Sequence, residues 1–252
     1  MFPPKLKNER CKYIGFTTQF PPTCARNNWD EGDTDFFNFL QNFPGLAGNL
    51  GLGYVERLMS VNNSKLVLAS KSPRRVELLK EIFPQFEVAP SNIEEVLDIG
   101  LRPEDNARNI ARAKAESIAP DFPDCWIIGA DTLVTLDNEI FQKPEDEKDA
   151  ERILNRLKGR EHLVITGVCV VGPEKTIDKP ITSKVKIKPL TEKEIKDYIA
   201  TGEPMDKAGA YAIQQKGSFM VRSFSGSKTN IIGLPLDELK ILLKKTRYPY
   251  SA

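Results

Sequence analysis

From Ser64 onward, short apolar runs alternate with stretches of helical periodicity, and this alternation is what most restricts the fold. The run CWIIGADTLVTL (125–136) reads as a strand, and Asp137-Asn138 turns it back into a second one, EIFQKP. KLVLAS and QFEVAP upstream are two shorter strands, and EHLVITGVCVVG and ITSKVKIKPL downstream are two longer ones. Helices are expected from Pro73, from Pro103 to about Ala119, over DEKDAERILNRLKG with Gly159 as C-cap, behind a capping box at Thr191 and Glu194, and from about Leu236. Hairpins and helices together predict an α/β class, a mixed sheet covered by helices.

Residues 1–62 differ in texture, being rich in Pro, Asn, Gly and Phe without sustained periodicity. The chain therefore divides into an N-terminal extension, 1–62, and a main domain, 63–252. Within the extension, Phe36, Phe39, Leu40 and Phe43 share one helical face behind an acidic cluster. A partner-docking helix, a short element packed on the main domain, and disorder all remain open there.

The chain has 252 residues, with 36 Lys and Arg against 35 Asp and Glu. A net charge of +1 gives no global field that would draw it to nucleic acid or a membrane, so any affinity for an anion must be local. No apolar run approaches the roughly 20 residues of a bilayer span, and MFPPKLKNER has no signal-peptide apolar region. A cytoplasmic protein is expected. The four cysteines form no C-x-x-C pair and His162 is the only histidine, which argues against zinc. A metal would have to be held by carboxylates, which points to Mg²⁺ or Mn²⁺.

Four places carry charge where the pattern predicts burial or repulsion. Arg74 and Arg75 sit in the first turn of the helix opened by Ser72 and Pro73, where the helix dipole disfavours cations. A bound anion would make them ligands; surface arginines on a frayed turn, or a phosphorylated Ser-Pro site, are the competing accounts. Lys114 falls on the apolar stripe of Ala107, Ile110, Ala111 and Ile118, as a cleft residue or as a stem snorkelling past alanines. Asp131 ends the apolar run IIGA, and a carboxylate at such a strand terminus either faces a cleft or serves turn chemistry. Glu94 and Glu95 form an acidic turn that is either solvated or, with Asp131, a source of oxygen ligands. Cations for phosphate, acids for a metal and a water, and no usable histidine or cysteine favour metal-assisted phosphate chemistry.

LASKSPRR, NIEE, IIGADTLV, FQKP, LKGREHLVITGV, GEPMDKAGAYAIQ and the closing IIGLP resemble, in this order and at similar spacing, the motifs of the Maf proteins. The resemblance covers about residues 64–245. It implies a relative of the inosine triphosphate pyrophosphatase fold, an α/β domain with an elongated mixed sheet and a central cleft, often a homodimer. It also implies hydrolysis of nucleoside triphosphates between the α and β phosphates, with a divalent metal. Carried onto this chain, Asp131 is the base that activates water, Glu95 and Asp131 hold the metal, and Ser70, Arg75, Lys114 and Lys143 contact phosphate. Arg74, Thr132 and Gln214 match the three specificity positions as in the branch acting on dTTP and UTP; the 7-methyl-GTP branch has a bulky aromatic in place of Arg74. Lys71 and the segment IQQKG depart from the usual pattern, placing Gln215 and Lys216 beside the base-reading position. A regulatory or cell-division protein acting through partners is the alternative of a different class. On the resemblance, replacing Arg75 with Ala is expected to weaken nucleotide binding and leave stability nearly unchanged or slightly raised.

Overall fold

The computed structural model describes residues 66–249. The extension, with its Phe36 to Phe43 stripe, Cys11 and Cys24, lies outside the described residues. The strands are β1 (Leu66–Leu68), β2 (Glu87–Val88), β3 (Trp126–Leu136), β4 (Glu139–Phe141), β5 (Glu161–Val171), β6 (Thr176–Ile187) and β7 (Val221–Ser225). The helices are α1 (Pro73–Lys80), α2 (Pro103–Ile118), α3 (Glu147–Leu157), α4 (Glu192–Ile199), α5 (Lys228–Ile232) and α6 (Leu236–Lys245). Among the described residues the strands form one mixed sheet ordered β2-β1-β3-β5-β6-β7, with β4 also on β3. Strands β2, β1 and β3 run parallel and the remaining pairs are antiparallel.

Three local expectations need correction. Ser72 occupies the N-cap of α1, but its side chain makes no capping bond, and its backbone N–H instead donates to Ser70 Oγ at 3.2 Å. Strand β6 begins at Thr176, upstream of the expected segment and across Pro180. Proline is tolerated there because β7 covers only Lys184–Ile187, leaving Pro180 with one paired edge. Asp131 lies in the middle of an eleven-residue strand, not at its end. The opening beside it comes from β3's neighbours: β1 pairs with Trp126–Ile128, β4 takes up the same edge only at Val134, and no described strand covers the edge between them.

The two faces of β3 are covered differently. Helix α2 lies on one face, where Ala107, Ala111, Ala115 and Ile118 pack with Ile127, Leu133, Ile165 and Cys169. The opposite face carries two separate cores. One joins Ile128, Ala130, Val168 and Val170 to α1 and α6; the other joins Val134, Leu136 and Val164 to α3 and α4. Thr132 falls between them and pairs across the sheet with Thr166. The two hydroxyls lie 3.0 Å apart, and Thr166 donates to the Asn230 carbonyl at 3.0 Å, so both threonine hydroxyls of the seam are paired.

Helix α2 sits unusually close to the sheet. A Cβ at Gly129 would lie 2.1 Å from the Ala111 carbonyl oxygen, and one at Gly167 would lie 2.1 Å from that of Ala107. Both obstacles are backbone, so neither can move aside alone. Gly167→Ala is therefore expected to destabilise the fold by about 3 kcal/mol, at the upper end for overpacking. Denaturant unfolding measures this, and a loss below about 0.5 kcal/mol would mean the helix can lift off freely.

Candidate functional site

The close seat of α2 brings Lys114 to Asp131. Lys114 is 8% exposed and Asp131 4% exposed. The lysine Nζ donates to Asp131 Oδ1 at 2.7 Å and lies 2.7 Å from Glu95 Oε1. Glu95 reaches the lysine from an irregular segment between β2 and α2. Buried Asn106, on α2, pins that segment: its Oδ1 accepts from the Asp98 N–H at 2.8 Å and its Nδ2 donates to the Asp98 carbonyl at 2.9 Å.

Arg75 occupies the seam between the two cores. Its Nε donates to the Gly233 carbonyl at 2.8 Å, and its terminal nitrogens donate to Ser70 Oγ at 3.2 Å and Thr132 Oγ1 at 3.1 Å. Arg74 points elsewhere, donating to the Asp206 carboxylate at 3.1 Å and its carbonyl at 3.3 Å. Buried Lys207 also pairs with the Asp206 carboxylate. These groups surround a cleft of about 360 Å³. Arg74, Arg75, Glu95, Lys114, Asp131, Thr132, Lys143 and Gln214 all line it. Ser70 is buried and is not a wall residue; it acts on the cleft through Arg75 and the Ser72 N–H. Glu94 is exposed and also outside the wall. Asp206, Lys207 and Tyr211 are wall residues that sequence reasoning did not single out, although Asp206 and Lys207 belong to the quoted GEPMDKAGAY motif.

The two carboxylates that share Lys114 are driven apart in acidity. Burial pushes Asp131 up, against the opposing charges of Lys114 and Arg75. Burial also works against Glu95, but the Lys114 hydrogen bond and charge, with Lys143 and Arg75, outweigh it and hold Glu95 down. His162 stays out of the chemistry: burial lowers it to about 4, and its Nε2 is 2.7 Å from Tyr211 Oη. Cys125 and Cys169 are both buried, and burial raises Cys169 to about 12.

The donors suit a hard cation only in part. Glu95 and Asp131 converge on one ammonium, which marks a point where positive charge is stabilised. Among the described residues no cluster of three or more His, Cys, Asp or Glu side chains could hold an ion. Two carboxylates are as many protein ligands as Mg²⁺ ordinarily takes, so Glu95 and Asp131 are the residues that could hold such an ion.

The family model described as Maf-like protein matches residues 65–246. The chain belongs to the Maf family. A dTTP/UTP pyrophosphatase of Dictyoglomus thermophilum is 47% identical over 187 residues, covering 73% of this chain and 97% of that protein. One of Koribacter versatilis is 41% identical over 200 residues, covering 79% of this chain and 97% of that protein. Among solved structures, the Ham1 protein of Staphylococcus aureus aligns over 72% of this chain and 99% of its own, with 17% identity and a TM-score of 0.44. No helix among the described residues is long and apolar enough to cross a membrane.

Two predictions concern the stability of this Maf site. A carboxylate raised on folding binds protons more tightly in the native state, so its contribution to stability falls as pH rises from the ordinary Asp value of 3.8 toward the raised one. Asp131→Asn removes that cost. The variant is expected to be as stable as the parent near pH 4 and more stable at pH 7, with the gap opening between them in urea unfolding. A variant less stable at pH 7 by over about 1 kcal/mol would mean the Lys114 pair outweighs desolvation. For Arg75→Ala the structure revises the expectation of unchanged stability. Removing three hydrogen bonds, one of them to the Gly233 carbonyl, is expected to cost about 2 kcal/mol in the same measurement.

Proposed function

We propose that this Maf protein hydrolyses nucleoside triphosphates, dTTP and UTP foremost, to the monophosphate and pyrophosphate. The observation that carries this reading is Asp131 and Glu95 sharing Lys114 in a cleft also lined by Arg74, Thr132 and Gln214. The names of the relatives support the substrate, since both proteins cited above are dTTP/UTP pyrophosphatases and nearly their whole length is matched.

A carboxyl whose pKa is raised, the weaker acid and stronger base, beside one whose pKa is lowered divides the labour of a hydrolytic site. Asp131 is the base: its Oδ1 accepts from Lys114, which leaves Oδ2 to take a proton from water. The water oxygen attacks the α phosphorus, the bond from that phosphorus to the bridging oxygen breaks, and pyrophosphate leaves with the electron pair. Lys114, Arg75 and Lys143 offset the charge of the phosphates, Arg75 from a fixed position because three acceptors hold it. Ser70 acts as a positioning residue, holding Arg75. Glu95 and Asp131 would hold Mg²⁺ or Mn²⁺, which supplies further neutralisation of phosphoryl oxygens when bound. Arg74, Thr132 and Gln214 form the wall that meets the nucleobase side.

Pyrophosphate release from dTTP, UTP, CTP and 7-methyl-GTP with Mg²⁺ or Mn²⁺ tests the assignment. dTTP and UTP are expected to be preferred. A preference for 7-methyl-GTP would move the chain to the sibling branch, and no release from any of the four would leave a partner-binding role as the better account. Asp131→Asn is expected to lose about 10²- to 10⁴-fold in turnover, the usual worth of a general base. Turnover within threefold of the parent would remove Asp131 from that role.

A further inference from the structure

The 3-10 turn Glu203–Asp206 hydrogen-bonds at one end to Arg74 and at the other to the segment that follows Gln214. Its last residue, Asp206, engages Arg74 across the cleft through both carboxylate and carbonyl. Its first residue, Glu203, does not line the cleft, yet its carboxylate is fully employed. Oε2 accepts from the Lys216 N–H at 3.1 Å, and Oε1 accepts from the Gly217 N–H at 3.0 Å and from Tyr198 Oη at 3.0 Å.

Those two backbone bonds hold a turn that is unfavourable by itself. Gln215 has φ 59°, the left-handed region that a side chain disfavours. At Gly217 a Cβ would lie 2.6 Å from the Ala212 carbonyl oxygen and 2.7 Å from Tyr198 Oη. Gln214, directly before this turn, is extended and lines the cleft. A carboxylate accepting two successive backbone N–H groups makes bonds stronger than neutral ones, and it can fix the path of the chain that leaves Gln214.

We propose that the Glu203–Asp206 turn is the positioning element for nucleobase selection, holding Gln214 through Glu203 and Arg74 through Asp206. This rests on the reading of Arg74 and Gln214 as selectivity residues. One rigid turn spaces its two carboxylates, so the separation of the two selecting side chains is set within a single short segment. The residues that carry the spacing contribute nothing to the phosphate chemistry at Asp131 and Lys114.

The test is the ratio of kcat/KM for dTTP over CTP in the full chain. Glu203→Gln keeps the shape but turns an amide NH₂ toward one of the two backbone N–H donors. It is expected to lower the ratio about tenfold while kcat for dTTP stays within threefold. Asp206→Asn, at a side chain 62% exposed, is expected to lower the ratio at least threefold and carries the test if the Glu203 variant fails to fold. A ratio within twofold of the parent in the soluble variants, whether kcat/KM is unchanged or reduced equally for every nucleotide, would overturn the proposal and leave the turn without a part in selection. A parent protein that does not discriminate between the two nucleotides would overturn the functional reading as well, and it is told apart because the failure appears without any substitution.

Discussion

The site depends on how closely α2 approaches the sheet. Gly129 and Gly167 leave no side chain between helix and strands, so the helix backbone rests where two Cβ atoms would otherwise stand. Ala107, Ala111 and Ala115 keep the helix side of the contact equally thin. Lys114, next in line on the cleft side with Ile110, is thereby delivered within 2.7 Å of Asp131. A thicker interface would move the lysine out of reach of Asp131 and leave Glu95 as its one carboxylate partner.

The same contact explains the division between the two carboxylates. Asp131 belongs to the central strand and is buried with the sheet, so desolvation governs it. Glu95 belongs to an irregular segment, reaches Lys114 from the solvent side, and keeps enough exposure for the neighbouring cations to govern it. One lysine between a buried and an exposed acid thus yields two different acids without any difference in local chemistry. Asn106 matters for this reason: by holding Asp98 at both its N–H and its carbonyl, it gives a segment without regular structure a defined position over the cleft.

Elements whose cause is local were legible in the sequence. The α2 stripe exposed Lys114 as a misplaced cation, and Asp137-Asn138 marked the hairpin, both residues taking positive φ in the structure. The Thr191 and Glu194 capping box formed both of its bonds. Long-range causes were hidden. Asp131 looked like a strand terminus because the gap beside it belongs to β1 and β4, and no pattern within β3 announces where its neighbours stop. The expected strand ITSKVKIKPL left out the part of β6 across Pro180, because the limited reach of β7 along β6, which lets proline sit there, is a tertiary fact. Asp206 meets Arg74 across 132 positions, and Glu203 meets Gly217 across 14, with no periodic signal joining either pair.

The two arginines at the start of α1 show how far local reasoning carries. They raised the need for a counter-charge at a helix N-terminus, since the first turn has no acid. The protein supplies part of the answer itself. Arg74 swings to Asp206, whose carboxyl is held below its ordinary range because Lys207 and Arg74 outweigh the penalty of burial. Arg75 turns to three neutral oxygens, while the charges of Asp131 and Glu95 oppose the desolvation that burial imposes on it. A cation held by neutral acceptors keeps its charge available to the cleft, whereas one already paired with a carboxylate presents much less net charge. The helix therefore begins with two arginines in unequal surroundings: Arg75 is held by neutral oxygens with its charge open to the cleft, and Arg74 is held to the wall by a carboxylate 132 positions away.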